Sequence, residues 1–481
     1  MENFRDLRSF LEALKAAGQL LTISDPVMPE PDVGAAVRAL SNLGEGMPAL
    51  SFTNVIGYPD ARIVMNVHGS WANHAIMMGL PKTTPLKEQF FEFAHRWQNF
   101  PVPAESHDKA PFREVSITDD INLFEILPLF RLNQFDGGFY IDKASVITRD
   151  PNDPGHFGKQ NVGIYRMQVK GRDRIGVLPS AFHDMGIHLR LAEERGENLP
   201  VSIAIGCDPI ISLVAATPLG YDESEYEMAG ALQGAPYRIV KSSLSDIDVP
   251  WGAEYLLEGE VLCGVREPEG PFGEFTGHYS GGRSHPVIKV KKVQHRRDPI
   301  FEHLYLGMPW TELDYLLGLS TCVPIYRQLK AAFPAEIVAV NAMYTHGLVA
   351  IVSTHQRYGG FAKAVGMRAM TTPHGLGYCK FVIMVDADVD PFNLPQVMWA
   401  ISTKVQPNHD IVIIPNLSVV PLDPGSDPAG LTHKVIIDAT TPITPDIRGH
   451  YTQPLEAPIG TEEWEKRLAP MLRSLAHGNG G

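Results

Sequence analysis

Four uninterrupted apolar runs of strand length stand in the last third of the chain: EIVAVNAMY, GLVAIVST, KFVIMVD and DIVIIP. A strand with one face in water alternates apolar and polar residues, whereas a run without alternation needs cover on both faces. GGFAKAVGMRAM and LPQVMWAISTKV, which separate the runs, read as helices that supply this cover. From about Leu319 the chain is therefore predicted to form an α/β domain with a mostly parallel sheet. EEWEKRLAPMLRSLAH follows as an amphipathic helix, and the Gly-rich end beyond it reads as frayed.

Upstream the pattern differs. YIDKASVITRD, VGIYRMQVKGRD, VSIAIGCD, YRIVKS, EYLLEGEVLCG and PVIKVKKVQHRR are short β-rich segments with turn residues between them, which suggests a barrel or sandwich. HDMGIHLRLAEERG and ESEYEMAGALQG interrupt it as helices. The first hundred residues alternate: a helix with the apolar stripe Phe4, Leu7, Phe10, Leu11 and Leu14, the strand QLLTIS, the helix PDVGAAVRALSNLG, the strands ALSFTNV and ARIVMNV, and the helix PLKEQFFEFAHRW. The Pro-rich NFPVPAESHDKAP closes this portion. The expected fold class is α/β, in three domains: 1–112, 113–318 and 319–481.

A net charge of -14 over 481 residues argues against nucleic acid and against an anionic membrane surface as partners. No apolar run reaches the ~18 residues of a membrane span. MENFRDLRSFLEALKAAG has no signal-peptide core. The four cysteines are scattered, without a Cys-x-x-Cys pair, which disfavours that kind of zinc site and fits a reducing cytoplasm. A cytoplasmic protein is expected.

Candidate chemistry lies in the β-rich middle. EGPFGEFTGHYSGGRS places Glu269 and Glu274 five residues apart around a Gly-Pro-Phe-Gly turn. The two carboxylates can converge only if the backbone folds between them. The stretch is either a solvated acidic turn or a pair aimed at a ligand. Asn161 and Arg166 lie on one strand-like segment at odd spacing, so they face opposite sides unless a bend intervenes. Arg166 can clamp a carboxylate with its planar fork or form a structural ion pair. His183 precedes one helix and Glu225 opens another. An amide, an imidazole and a carboxylate suit Mn²⁺ or Mg²⁺ better than zinc. Asp222 or Ser224 as a helix cap, with Glu225 in a favourable first turn, explains that segment equally. Lys380 opens the strand FVIMVD as a surface lysine or as a phosphate contact. The acidic DADVD, Asp386 to Asp390, ends a strand and reads as a solvated turn or a ligand site. HGLGY lacks the third glycine of a dinucleotide fingerprint and precedes a strand. No Walker A or Gly-x-Ser-x-Gly sequence occurs.

The segments NVGIYRMQV, SEYEMAGALQG, VPWGAEYLLEGE, EGPFGEFTGHY and DPFNLPQVMWAISTK together resemble the UbiD family of reversible aryl and acrylic acid decarboxylases, over nearly the whole chain. FGKQNVGIYRMQVKG, YGGFAKAVGMRAMTTPHGLGYCK and IFEHLYLGMPWTE are similar to the large catalytic subunits of its phenolic acid branch, which act on vanillate and 4-hydroxybenzoate. The resemblance implies prenylated FMN, made by a separate flavin prenyltransferase and held through Mn²⁺, often with a nearby K⁺. Asn161 and Glu225 match the metal ligands, and His183 matches a third ligand found in some members. Arg166 matches the catalytic arginine, and Glu269 and Glu274 match the two loop acids, the second of which is Asp in ubiquinone-pathway members. Ile164, Tyr165, Leu178, Pro179 and Ser180 fall in cofactor-contacting segments, Lys380 matches a lysine that reaches the phosphate, and the carbonyls of Ala215 to Pro218 match the K⁺ segment.

The implied fold is an N-terminal α/β portion, a central split β-barrel that binds the flavin, and a C-terminal α/β domain joined through a helix. The implied assembly is a homo-oligomer, a dimer or hexamer, with a small companion subunit. The implied activity is non-oxidative decarboxylation of a hydroxylated aromatic acid, with Glu274 as proton donor and Glu269 holding Arg166. The alternatives are the same chemistry on protocatechuate, gallate or a heteroaromatic acid, with His303, Met308 and Trp310 as pocket candidates, a flavin-binding subunit without this activity, or an ordinary FMN oxidoreductase.

Overall fold

A computed structural model of the chain describes residues 4–44, 46–180, 183–308, 310–342, 347–446 and 455–478, with side chains to 472. The Gly-rich end, 479–481, and the tail of the EIVAVNAMY run lie outside the described residues.

The first helix, Leu7–Ala16, starts where Asp6 and Ser9 form a reciprocal capping box, and it buries the predicted stripe Leu7, Phe10, Leu11 and Leu14. Strands Leu20–Ile23, Ala49–Phe52 and Arg62–Met65 form a sheet whose fourth strand, Ile300–Glu302, comes from the far end of the middle section. That strand runs parallel to Arg62–Met65. The N-terminal sheet is thus completed by residues more than two hundred positions downstream. A short helix not read from the sequence, Trp71–Met77, is capped by Ser70.

The middle section is a nine-stranded antiparallel sheet. Eight strands lie in the order Phe139–Ile141, Met167–Gly171, Arg174–Val177, Arg283–His295, Tyr255–Glu269, Leu199–Ile205, Ser145–Arg149 and Gln160–Ile164, and Val115–Ile117 pairs with Arg283–His295. Its shape follows from one short link. Gln160–Ile164 is last in the order and Met167–Gly171 is second, yet only Tyr165 and Arg166 join them. In a flat sheet with strands about 4.8 Å apart, six spacings would separate them by roughly 29 Å. Three Cα steps reach at most about 11 Å. The sheet must therefore roll until its edges approach, as a split barrel. Register shifts in the Tyr255–Glu269 strand at Glu258/Gly259 and Val261/Arg266 supply the bend. Arg166 sits at the seam.

The 21-residue helix Glu312–Ala332 carries the chain into the C-terminal sheet. The strand order there is Ile337–Asn341, Val349–Thr354, Phe381–Asp386, Leu431–Ala439, Ile411–Ser418. The three central strands are parallel and both edge strands are antiparallel. The DIVIIP run therefore is not covered on both faces: it lies at an edge, with Ile411 37% and Ile413 61% exposed. The central position belongs to Leu431–Ala439, whose His433, Lys434 and Asp438 mask its apolar character in the sequence. Among the described residues no helix is long and apolar enough to cross a membrane.

Candidate active site

The strand that begins at Gln160 stops at Ile164 and the next begins at Met167, so Arg166 falls in the bend that its spacing from Asn161 called for. Its carbonyl accepts the Leu178 N–H at 3.4 Å, which sets the half-buried segment Leu178 to Ser180 beside it. Its guanidinium reaches both loop acids: Nη2 donates to Glu269 Oε2 at 2.7 Å, and Nη1 donates to Glu274 Oε1. All three side chains are buried, at 8%, 1% and 6% exposure. The acidic stretch is no solvated turn.

The backbone between the acids explains their convergence. Glu269 ends the long strand, and Phe272 to Ser280 fold back as a tight hairpin. The Ser280 N–H donates to the Phe272 carbonyl at 2.8 Å, the Glu274 N–H to His278 at 2.9 Å, and the Gly277 N–H to Glu274 at 3.0 Å. Gly277 takes a left-handed φ of 75°, and a Cβ there would stand 2.8 Å from Met308 Sδ. Phe272 lies under the Arg166 guanidinium, 5.5 Å from centroid to Cζ, and against the Tyr140 ring at 4.4 Å. His285 Nε2 approaches Glu269 Oε2 at 3.6 Å from the neighbouring strand.

Burial pushes the Glu274 carboxyl above its ordinary value, against the opposing charge of Arg166, and the second carboxylate adds to the rise. The arrangement is one cation between two buried acids, with a proton favoured on Glu274.

A second cluster gathers the residues proposed to hold metal. Ser224 caps the helix Glu225–Gln233 as expected, and Glu225 turns inward at 6% exposure, its Oε2 accepting the Val162 N–H at 3.2 Å. The neighbouring Asn161 donates from Nδ2 to Tyr165 Oη at 3.3 Å, and the Tyr165 ring meets His183 edge-on at 5.7 Å. His183 precedes the helix Asp184–Glu194, with a buried Nδ1 that has no hydrogen-bond partner among the described residues. Burial lowers the His183 pKa, favouring the neutral imidazole that can ligate, and pushes Glu225 well above the carboxylate range. A cation would reverse that cost. Among the described residues no three imidazole, thiol or carboxylate groups converge, so the Asn161 amide is needed as a donor. The set fits a hard divalent ion bound partly by oxygen.

Ile164 and the buried Tyr165 lead from this cluster to Arg166. Lys380 Nζ pairs with Asp423 Oδ2 at 2.9 Å, within the C-terminal portion. Pro218, at the end of the Ala215 to Pro218 segment, lines a cleft of about 350 Å³ together with Arg327 and His374. The DADVD acids are structural: Asp386 pairs with Lys404 at 2.5 Å and Asp390 with Lys87 at 2.9 Å. Of the pocket candidates, His303 is fully buried against Asp142, Met308 is half-exposed over the acid hairpin, and Trp310 packs on Tyr315 at 5.6 Å.

Sequence reasoning missed Tyr140, His285 and Tyr378. Tyr378 stacks on His374 at 4.7 Å, and its hydroxyl is pushed up to about 12 by burial and then by the charge of Glu274. Nothing local in HGLGYCK announces this influence, because Glu274 lies more than a hundred positions upstream.

Three profiles described as domains of 3-octaprenyl-4-hydroxybenzoate carboxy-lyase match the chain: the N-terminal domain over 11–92, the Rift-related domain over 104–309 and the C-terminal domain over 314–439. A phenolic acid decarboxylase of Bacillus subtilis is 69% identical over 469 residues, covering 98% of this chain and 99% of the relative. The structure of the vanillic acid decarboxylase ShVdcCD of Sedimentibacter hydroxybenzoicus, in closed form, superposes with a TM-score of 0.93 at 53% identity, covering 98% of this chain and 100% of that one. An evolved dimeric form of the UbiD-class enzyme HmfF of Pelotomaculum thermopropionicum, solved in complex with prFMN, gives 0.81 at 29% identity, over 96% and 98%. The split barrel, the Arg166 cluster and these matches along the full length have one reading: the chain belongs to the UbiD family of carboxy-lyases.

Proposed function

We propose that the chain decarboxylates a hydroxylated aromatic acid, vanillate or 4-hydroxybenzoate, to the phenol and CO₂ without net oxidation, and that the reaction is reversible. The observation that carries this is Arg166 bridging two buried acids, one of which holds its proton more tightly than usual. Asn161, His183 and Glu225 would hold Mn²⁺ against the phosphate of prenylated FMN, with K⁺ at Ala215 to Pro218, and Ile164, Tyr165, Leu178 to Ser180 and Lys380 would border the cofactor. When bound, that cofactor supplies the electron sink for the carbon that loses CO₂. Arg166 orients the substrate carboxylate with its fork. Glu274, whose protonated form burial favours, delivers a proton to the ring carbon from which CO₂ has left. Glu269 fixes Arg166 and, as a second negative charge, favours protonation of Glu274. The burial of Arg166, Glu269 and Glu274 favours departure of a carboxylate whose charge disperses.

The partners under this reading are a flavin prenyltransferase as cofactor supplier, a small companion subunit such as the two-part name of the Sedimentibacter enzyme indicates, and further copies of this chain. The test is anaerobic CO₂ release from vanillate and 4-hydroxybenzoate by protein coexpressed with a flavin prenyltransferase, with Mn²⁺ and K⁺ supplied. Release that depends on the prenyltransferase supports the reading. No release from protein shown by mass spectrometry to hold the prenylated flavin, with the companion subunit added, overturns these substrates.

A further inference from the structure

We propose that Asp136 is a positioning residue for Glu274, gripping the acid hairpin through the amide of Gly273. The inference rests on the reading of Glu274 as proton donor.

Asp136 is 4% exposed. Its Oδ2 accepts the Asn133 N–H at 2.7 Å, which closes a local turn. Its Oδ1 accepts the Gly273 N–H at 2.8 Å, 137 positions away and one residue before Glu274. A turn needs only the first bond, and Asn or Ser serves there as well. Burial pushes the Asp136 carboxyl up, which backbone donors oppose, so the placement carries a cost that the turn alone does not justify. Two further bonds flank the first. The Gly137 N–H donates to the Pro271 carbonyl at 2.7 Å, and the Phe135 N–H donates to Tyr279 Oη at 3.1 Å. The 133–137 turn thus holds the hairpin at Pro271, Gly273 and Tyr279, bracketing Glu274. The fit leaves no slack: a Cβ on Gly273 would stand 2.4 Å from Asn133 Nδ2, and one on Gly137 would stand 2.2 Å from the Gly270 carbonyl oxygen. Of the three grips, Asp136 supplies the buried side-chain acceptor, and the residue it holds, Gly273, is the one next to the acid in sequence.

Asp136→Asn keeps the shape but turns an amide N–H₂ toward one of the two donors. In the loaded enzyme kcat is expected to fall ~10–100-fold, the scale of a sub-ångström to 1 Å misplacement of a reacting group, with KM and flavin occupancy unchanged. Deuterium exchange of peptide 270–280 should accelerate in the same protein. In a Glu274→Gln background, adding Asp136→Asn should lower kcat no further, because its effect passes through Glu274. An equal further loss in that background, or full kcat in Asp136→Asn with unchanged exchange, overturns the inference. Should Asp136→Asn not fold, Tyr279→Phe removes a neighbouring grip from a 43% exposed residue. It must then lower kcat without raising KM, and unchanged kcat and exchange overturn the proposal. Full turnover by Glu274→Gln alone would instead sink the assignment of the acid, whatever Asp136 does.

Discussion

Burial favours a proton on Glu274 against the opposing charge of Arg166, and the second carboxylate, Glu269, adds to that preference. Glu274→Gln keeps the shape and removes the titrating proton. Turnover should fall ~10²–10⁴-fold, the usual worth of a positioned acid, with the flavin absorbance retained. The pH dependence has a fixed sign. The folded-state pKa of Glu274 lies above its unfolded value, so its contribution to stability is full below the unfolded value and is lost as pH rises through the folded one. Activity that needs the protonated acid fades over the same rise, and a plot of kcat against pH should lose this limb in Glu274→Gln. Glu225→Ala should act differently: flavin occupancy, read by absorbance after gel filtration, should collapse before any question of turnover. Gly270, Pro271 and Gly273 allow a fold-back between the two acids but leave a solvated turn open, and it is the resemblance that joins Glu269 and Glu274 to Arg166. Asp136 is not legible, because it reaches the hairpin by a bond between distant segments and FDGG reads as an ordinary turn. His285 is not, because its approach to Glu269 depends on strand register.

Lys143, on the turn after Phe139–Ile141, is 1% exposed, and its Nζ meets Glu302 at 2.7 Å and Glu312 at 2.5 Å. Glu312 opens the long helix to the C-terminal sheet and also accepts the backbone N–H of Asn66 and of His68, each at 2.9 Å. One carboxylate thus ties the N-terminal strands, the barrel and the connecting helix. Burial alone would raise its pKa, but the charge of Lys143 and the hydrogen bonds hold it down at about 2. Glu312→Gln removes one of the two carboxylates on Lys143 and weakens the bonds to the Asn66 and His68 amides, while Glu302 still pairs with the lysine, so the expected cost is that of lost charged hydrogen bonds, ~1.5–3 kcal/mol. Denaturant unfolding at pH 7 should show that loss. Because the folded pKa is depressed, the stabilisation is present above the unfolded value near 4.5 and fades as pH falls toward 2. The difference between wild type and Glu312→Gln should shrink over that window and stay constant from pH 6 to 8. Apolar patterning revealed the helix Leu7–Ala16 and the buried strands Val349–Thr354 and Phe381–Asp386. It missed Leu431–Ala439, where polar residues interrupt the run, and it could not distinguish an edge strand from a covered one in DIVIIP.

At the scale of the whole molecule, the two-residue link makes the position of Arg166 a consequence of barrel closure. The sheet must roll for the chain to connect, and the strand that leads into the link carries Asn161 and Val162, whose N–H donates to Glu225 on the helix Glu225–Gln233. Exposed apolar side chains recur on separate elements of the C-terminal portion: Ile413 on the edge strand is 61% exposed, Met398 and Trp399 on the helix Leu394–Lys404 are 57% and 49% exposed, and Trp464, Leu468 and Leu472 on the last helix are 54%, 43% and 61% exposed. Trp464, Leu468 and Leu472 recur every four residues, so they form one stripe. Neighbouring exposed apolar side chains such as Met398 and Trp399 mark an interface better than single ones do, and an edge strand invites pairing with another copy. A homo-oligomer built through this portion is the expected state. Light scattering after gel filtration should give a multiple of the chain mass. Met398→Glu with Trp399→Glu should shift it toward the single chain while leaving the barrel, and hence flavin binding by each copy, intact. A wild-type protein that runs as a single chain at micromolar concentration would show that this face serves the companion subunit or nothing. The double variant distinguishes those two by whether added companion subunit still binds.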